Sequence, residues 1–455
     1  MIAWIQRGAR CLGLDRAVAF GTMSRGWILV AGPITLVLIA TRFSQEVQGY
    51  YYTFSSLLAL TVFLELGLGT VIQQFASHEW AGLALDGQGR ITGNPPALGR
   101  LAGLARMSLR WYAAAGLLGA VGIGLAGYLF FSRDPSPQIR WGPPWFFLCA
   151  FSGVNLVVLP AWSLLDGCNQ MSETNRARFV VGVVSSVTTW VAILLGAGLW
   201  TAPVVSAAGV CTTGVLLFTR FRQYFRSLRT AAARSINWRE EVWPMQWRIA
   251  LSWLSGYFIF SLFTPILFRY AGPVAAGQMG MTLAVANALL SIALTWVSTK
   301  APVFGVLIAQ REYRRLDQVF ATSTWRTMLV VGCGAVVTWG GIFGLWMLGH
   351  PLATRLLPPL PAGLFLAATV VTTAVSSMAT YLRAHKREPY LLTSVLSGLA
   401  VGGSTLLLGS RWGATGMGAG YLAWTIVFFF PNLVILRRWR RAWHADLAHA
   451  SAPES

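Results

Sequence analysis

Residues Thr327–Gly349 read TMLVVGCGAVVTWGGIFGLWMLG, a stretch without one charged side chain. About 20 mostly apolar residues in a helix are enough to cross the ~30 Å hydrocarbon core of a bilayer. A run this long, continuous rather than alternating, reads as a membrane-spanning helix and excludes a β-barrel strand.

Eleven other runs of the same kind surround it, at roughly 17–40, 49–74, 110–131, 143–165, 178–199, 203–219, 248–268, 276–299, 362–382, 390–409 and 415–436. Composition agrees with so many spans. Hydrophobic residues make up 55% of the 455 and charged residues only 11%, against about 25% charged in soluble domains. Too few charges exist to cover a soluble surface of this size, and the balance is the reverse of a disordered chain's. The expected fold class is all-α: a polytopic membrane protein with about 12 transmembrane helices. The first run is too long for a signal-peptide core and reads as a retained anchor.

The net charge of +20, from 35 Lys and Arg against 15 Asp and Glu, would point to nucleic acid in a soluble protein. In a membrane protein it reports orientation. With twelve spans, 28 of the 35 basic residues fall in loops on one side, among them Arg90, Arg100, Arg220 to Arg248, Arg311 to Arg326 and Arg437 to Arg441, and six on the other. The positive-inside rule then puts both termini in the cytoplasm of a multi-pass cell (inner) membrane protein. No nucleic-acid partner is expected. Anionic lipid headgroups are the natural partners of the basic loops.

The most basic loop lies at the midpoint. The expected organisation is an N-terminal six-helix lobe (1–219), a basic cytoplasmic linker (220–247), a C-terminal six-helix lobe (248–436) and a cytoplasmic tail (437–455). A weak internal match supports duplication. Arg42-Phe-Ser-Gln-Glu-Val-Gln-Gly49 and Arg269-Tyr-Ala-Gly-Pro-Val-Ala-Ala-Gly277 both run from an Arg-aromatic pair through a short loop to a Gly opening a new span. Pro33 and Pro265 lie in the two preceding spans.

Charged and polar groups at depth are the functional candidates. Arg25 lies about eight residues, or ~12 Å, into the first run, with Thr22 nearby. It reads as a cationic anchor for an anionic substrate group, as a snorkelling side chain, or as half of a structural ion pair. Glu65 lies as far beyond the loop at Gln45 as Arg25 lies before it, which puts the two at equal depth in a helical hairpin. Glu65 is therefore a pairing partner for Arg25 or a protonatable coupling site. Asn287 in the eighth span, and Thr373 in a tenth span rich in hydroxyls, are further cavity candidates, with interhelical hydrogen bonding the simpler role.

Other motifs carry no chemistry. Gly122-Ile-Gly-Leu-Ala-Gly127 matches the dinucleotide pattern but lies inside an apolar span with no preceding strand. No P-loop occurs. Cys11, Cys149, Cys168, Cys211 and Cys333 have no metal spacing, so neither a metal nor a cofactor is expected. External loops are short and nearly free of His, Asp and Glu, which argues against a catalytic residue set and against an enzyme.

The stretch Arg42-Phe-Ser-Gln-Glu-Val-Gln-Gly-Tyr-Tyr-Tyr-Thr-Phe-Ser-Ser-Leu-Leu, running into Glu65-Leu-Gly-Leu-Gly69, resembles the start of polysaccharide (O-antigen type) flippases of the multidrug/oligosaccharidyl-lipid/polysaccharide exporter superfamily. Lys300-Ala-Pro302 through Leu316 is similar to the segment after span eight in that family. The resemblance implies two six-helix lobes around a central cavity. It also implies a polyprenyl-diphosphate-linked oligosaccharide as substrate, moved to the outer leaflet for cell-surface polysaccharide (lipopolysaccharide) biosynthesis by alternating access, with polysaccharide polymerase machinery as a partner. Relatives often carry several intramembrane basic residues; here Arg25 stands alone. The alternatives are a multidrug or metabolite antiporter of the same superfamily and, further off, a membrane polysaccharide polymerase or ligase.

Overall fold

The structure, a computed structural model, describes residues 16–133, 139–233, 237–385 and 389–450, apart from the side chains of 16–22, 25, 244, 245, 248, 252 and 444–450. Helices dominate: α1 (Arg16–Arg42), α2 (Gln45–Glu65, with a tightened turn at Ala59–Thr61), α3 (Leu68–Trp80), α4 (Pro95–Phe131), α5 (Gly142–Gly167), α6 (Met171–Leu194) and α7 (Thr201–Thr230) come first. They are followed by α8 (Trp243–Phe260), α9 (Phe263–Ser298), α10 (Ala301–Ala309), α11 (Tyr313–Met347), α12 (Pro359–Ala384) and α13 (Leu391–Ala450).

Among the described residues, eight helical stretches are long and apolar enough to cross a membrane, and the bent pair α2–α3 makes a ninth. Two of the eight hold more than one sequence run. The helix α13 is broken at Gly413 (φ 55°, ψ −141°) and doubles back: a Cβ on Gly409 would touch Met417, and one on Gly420 would touch Ser404. The Thr393 hydroxyl donates to Asn432 Oδ1 across the same hairpin at 2.7 Å. The helix α9 is broken at Gly272 (φ 83°, ψ 178°) just before Pro273. With the apolar part of α1, Gly26–Arg42, these elements cover all twelve runs. The chain is an all-α, polytopic membrane protein.

Two local departures have simple causes. The run at 248–268 is interrupted at Ser261–Leu262, between α8 and α9. Pro265 has no N–H for the Ser261 carbonyl, and its ring crowds that group. The loop after α3, read only as a loop from its glycines, folds into a small antiparallel hairpin of β1 (Leu83–Leu85) and β2 (Ile91–Gly93). Asp86 Oδ1 closes its turn by accepting from the Gln88 and Arg90 amides, both at 2.8 Å.

The contacts group the chain into two compact units, Met1–Val47 with Leu57–Leu254, and Gln48–Ser56 with Ser255–Ser455. In the first, Leu68, Val71 and Ile72 of α3 pack with Leu101, Leu104 and Tyr112 of α4 and Leu164 and Leu165 of α5. The helices α4 and α5 meet backbone to backbone. A Cβ on Gly116 would lie 2.5 Å from the Gly153 carbonyl oxygen, and one on Gly153 would lie 2.6 Å from that of Gly116. In the second unit, Phe263, Met279, Phe365, Met417 and Tyr421 form one core, and Phe304, Leu316, Phe320 and Tyr381 another.

The basic segment 220–247 is helical to Thr230, and its later part is packed. Trp238 stacks on Trp111 of α4 with centroids 5.7 Å apart, and Val242 and Gln246 are buried. Arg100 bridges Glu79 at 2.7 Å and Glu241 at 2.9 Å. The Arg106 guanidinium donates to the Arg229 and Ala231 carbonyls.

Candidate functional site: a carboxyl at a broken helix

The chain breaks its second span at Glu65. Leu66 (φ 49°) and Gly67 (φ 66°) are both left-handed, and α2 and α3 meet at 45°. A left-handed Leu costs roughly 1–2 kcal/mol, and strained residues of this kind cluster at functional sites and switch regions. Gly67 is required here. Besides its positive φ, a Cβ on it would lie 2.3 Å from Ile249 Cγ2.

In hydrocarbon a broken helix needs its freed backbone groups satisfied by protein. The Leu66 amide donates to the Val62 carbonyl at 3.1 Å and the Thr70 amide to the Gly67 carbonyl at 3.2 Å. The Leu64 carbonyl accepts from the Trp111 indole N–H at 3.3 Å.

The Glu65 carboxyl turns into unit one. The place a Gly69 Cβ would take lies 3.3 Å from Glu65 Oε1, 3.1 Å from Ser163 Oγ and 3.6 Å from the Tyr112 hydroxyl oxygen. The absence of a side chain at Gly69 thus leaves three oxygens, from α2, α5 and α4, converging on one spot. Tyr112 is fully buried. Its hydroxyl faces the Glu65 carboxyl without a well-directed hydrogen bond.

Glu65 has no cationic partner among the described residues. Two other acidic residues near span ends do. Asp166 accepts from Arg178 and Thr174, and Asp317 from Arg440 and Tyr381. A carboxyl with two hydroxyls at a helix break is a donor set for a proton or a small monovalent cation.

The remaining sequence candidates are placed as follows. Arg25 and Thr22 lie on α1, and their side chains fall outside the described residues. Asn287 is exposed on α9. Thr373 is fully buried on α12 and its hydroxyl donates to the Thr369 carbonyl at 2.7 Å. Thr369 and Ser377 bond back along the same helix, so this hydroxyl stripe faces the packed core of unit two. Tyr112, Ser163 and Trp111 were not among the sequence candidates. Gly67 and Gly69 inside an apolar run were the one signal of a break, but nothing local names the residues that pack around it.

No family model and no curated protein matches the chain. Solved structures do. An inward-facing multidrug resistance MATE family transporter of the MOP superfamily superposes with a TM-score of 0.62 at 13% identity, over 94% of this chain and 95% of its own. The MATE multidrug transporter DinF-BH in complex with rhodamine 6G gives 0.58 at 13%, over 94% and 96%. A MOP superfamily transporter from Pyrococcus furiosus, described as having a binding pocket of reverse polarity, gives 0.55 at 13%, over 94% and 97%. The chain has the fold of the MOP-superfamily transporters. In that MOP fold the all-α, multi-pass architecture read from the sequence is complete. The structures it resembles are transporters, not enzymes.

Proposed function

We propose that the chain exports an organic solute across the membrane by alternating access, in exchange for a monovalent cation bound at Glu65. The observation that carries this reading is the Glu65 carboxyl, without a cationic partner among the described residues, at a helix break where Ser163 and Tyr112 converge on it. A charge in such a place is costly unless it is neutralised. Binding and release of H⁺ or Na⁺ therefore changes the local energy by enough to bias a backbone already broken at Leu66–Gly67. Neighbouring folds support alternating access: MATE transporters of the MOP superfamily are known inward-facing and outward-facing, the latter at a TM-score of 0.50 and 12% identity. The rhodamine 6G bound to DinF-BH suggests an organic cation as the first solute to test. The multidrug or metabolite antiporter is thus preferred over the flippase.

A second reading, transfer of a polyprenyl-diphosphate-linked oligosaccharide, is favoured by Arg25 and by the resemblance of residues 42–69. In both readings the termini face the cytoplasm, from the bias of the basic loops.

The test is reconstitution of the full chain in vesicles with an imposed pH or Na⁺ gradient. Gradient-driven movement of rhodamine 6G, lost in Glu65→Gln, is expected; whichever gradient drives it names the cation. Movement of a lipid-linked oligosaccharide instead, lost in Arg25→Ala and retained in part by Arg25→Lys, would replace the first reading with the second. Movement of neither sinks both.

A further inference from the structure

Unit two holds a cationic cavity that the transport reading does not use. It is an open pocket of about 280 Å³, lined by Trp296 and Lys300 at the end of α9 and by Gln318, Val319, Thr322, Ser323 and Arg326 of α11. No Asp or Glu lines it. Lys300 and Arg326 make no ion pair among the described residues. The nearby carboxylates are engaged elsewhere, Glu312 with Arg315 at 3.2 Å and Asp317 with Arg440 and Tyr381. Arg311 and Arg314 add positive charge to the same end of α11.

An apolar groove begins where the cationic cavity ends. It is lined by Met328, Leu329, Gly332, Cys333, Val336 and Val337. Leu329, Val336 and Val337 are 52, 70 and 73% exposed. Gln318, Thr322, Arg326, Leu329, Cys333 and Val337 follow one another at intervals of three or four, so cavity and groove share one face of α11. From Met328 to Val337 the groove follows ~14 Å of helix axis. Its concavity comes from Gly332, where an added Cβ would meet nothing within 4 Å.

We propose that this face of α11 binds one anionic phospholipid, its phosphate held by Lys300 and Arg326 with Gln318 and Thr322 as further donors, and an acyl chain laid along Leu329 to Val337. Trp296 stands at the polar end, where indoles prefer the membrane interface. Two unpaired cations on a membrane surface draw anionic headgroups, and the groove continues in the direction a lipid tail must take. The proposal does not depend on what the protein transports.

The experiment is native mass spectrometry of the delipidated full-length protein, titrated with phosphatidylglycerol or phosphatidylcholine. Wild type is expected to retain one phosphatidylglycerol in preference to phosphatidylcholine. K300A/R326A, two changes at exposed positions, should need about twenty-five-fold more lipid, each cation contributing about fivefold. Gly332→Phe, whose Cβ would meet nothing within 4 Å and whose ring would occupy the groove, should weaken long-chain phosphatidylglycerol several-fold and leave the dihexanoyl form unchanged. Circular dichroism melts confirm that both variants are folded. Equal retention by wild type and K300A/R326A, or no preference over phosphatidylcholine, overturns the site. Displacement by inorganic phosphate with no effect of Gly332→Phe marks a free-anion site and overturns the lipid assignment.

Discussion

The indole N–H of Trp111 donates to the backbone carbonyl of Leu64, one residue before Glu65. The broken span needs this bond, because α2 ends one residue later and the break takes away the helical amide that would have served that carbonyl. Trp111→Phe keeps a ring against Trp238 but removes the donor. A buried carbonyl left unsatisfied costs about 1–3 kcal/mol, so the variant should melt at lower temperature in detergent. An unchanged melting temperature would show that the carbonyl has another partner.

The two left-handed residues of the break should respond oppositely to substitution. Gly67→Ala adds a methyl 2.3 Å from Ile249 Cγ2 at a positive φ and should destabilise the protein by about 1–3 kcal/mol. Leu66→Gly removes a left-handed Cβ and should be tolerated far better, although Leu loses its side-chain contacts. Thermal melts of the two variants side by side check the order.

How far the sequence carried the fold can be judged at this break. The apolar runs are legible because a bilayer demands about 20 residues whatever they pack against. Glu65 stood out because charge at depth is rare. Its neighbours Tyr112 and Ser163 did not, since they lie 47 and 98 residues further on and meet it only through the packing of α3, α4 and α5. The hydroxyls of α12 show the converse. At the sequence level they suit a polar wall as well as a packed face, and hydrogen bonds to carbonyls four residues back absorb them.

Glu241 lies outside the membrane-spanning segments, and its bonds to the Arg100 guanidinium and the Asn237 amide hold its carboxyl below the ordinary 4.5. A depressed carboxyl contributes stability that is complete above its unfolded value and is lost as pH falls through its folded value. Glu241→Gln should therefore lower the melting temperature at neutral pH, and the difference from wild type should shrink as pH drops below about 4.5 and the wild-type carboxyl protonates. A difference independent of pH over that range would show that the Arg100 bridge does not carry it.

In unit two, Gln48 Nε2 donates to the Gly277 carbonyl at 2.9 Å and to the Arg355 carbonyl at 3.0 Å. Beside it a Cβ on Gly49 would lie 1.9 Å from the Pro273 carbonyl oxygen. Backbone cannot retreat as a flexible side chain can, so Gly49→Ala should reduce the yield of folded protein sharply. Gln48→Leu should cost about 1–3 kcal/mol through the two carbonyls it leaves unpaired. Size-exclusion profiles and melts of the purified variants separate the two outcomes.

The reciprocal contact of Gly116 with Gly153 has a mechanical meaning. With no side chain between them, α4 and α5 are keyed together like two notched bars and cannot slide without a backbone collision. Trp111 and Tyr112 ride on one bar and Ser163 on the other, so these three travel as a single rigid jaw. A Cβ on Gly167 of α5 would lie 2.4 Å from the Gln73 carbonyl oxygen, so α3 is keyed to the same jaw, and any movement that opens or closes around Glu65 must come from α2, swivelling at Leu66–Gly67.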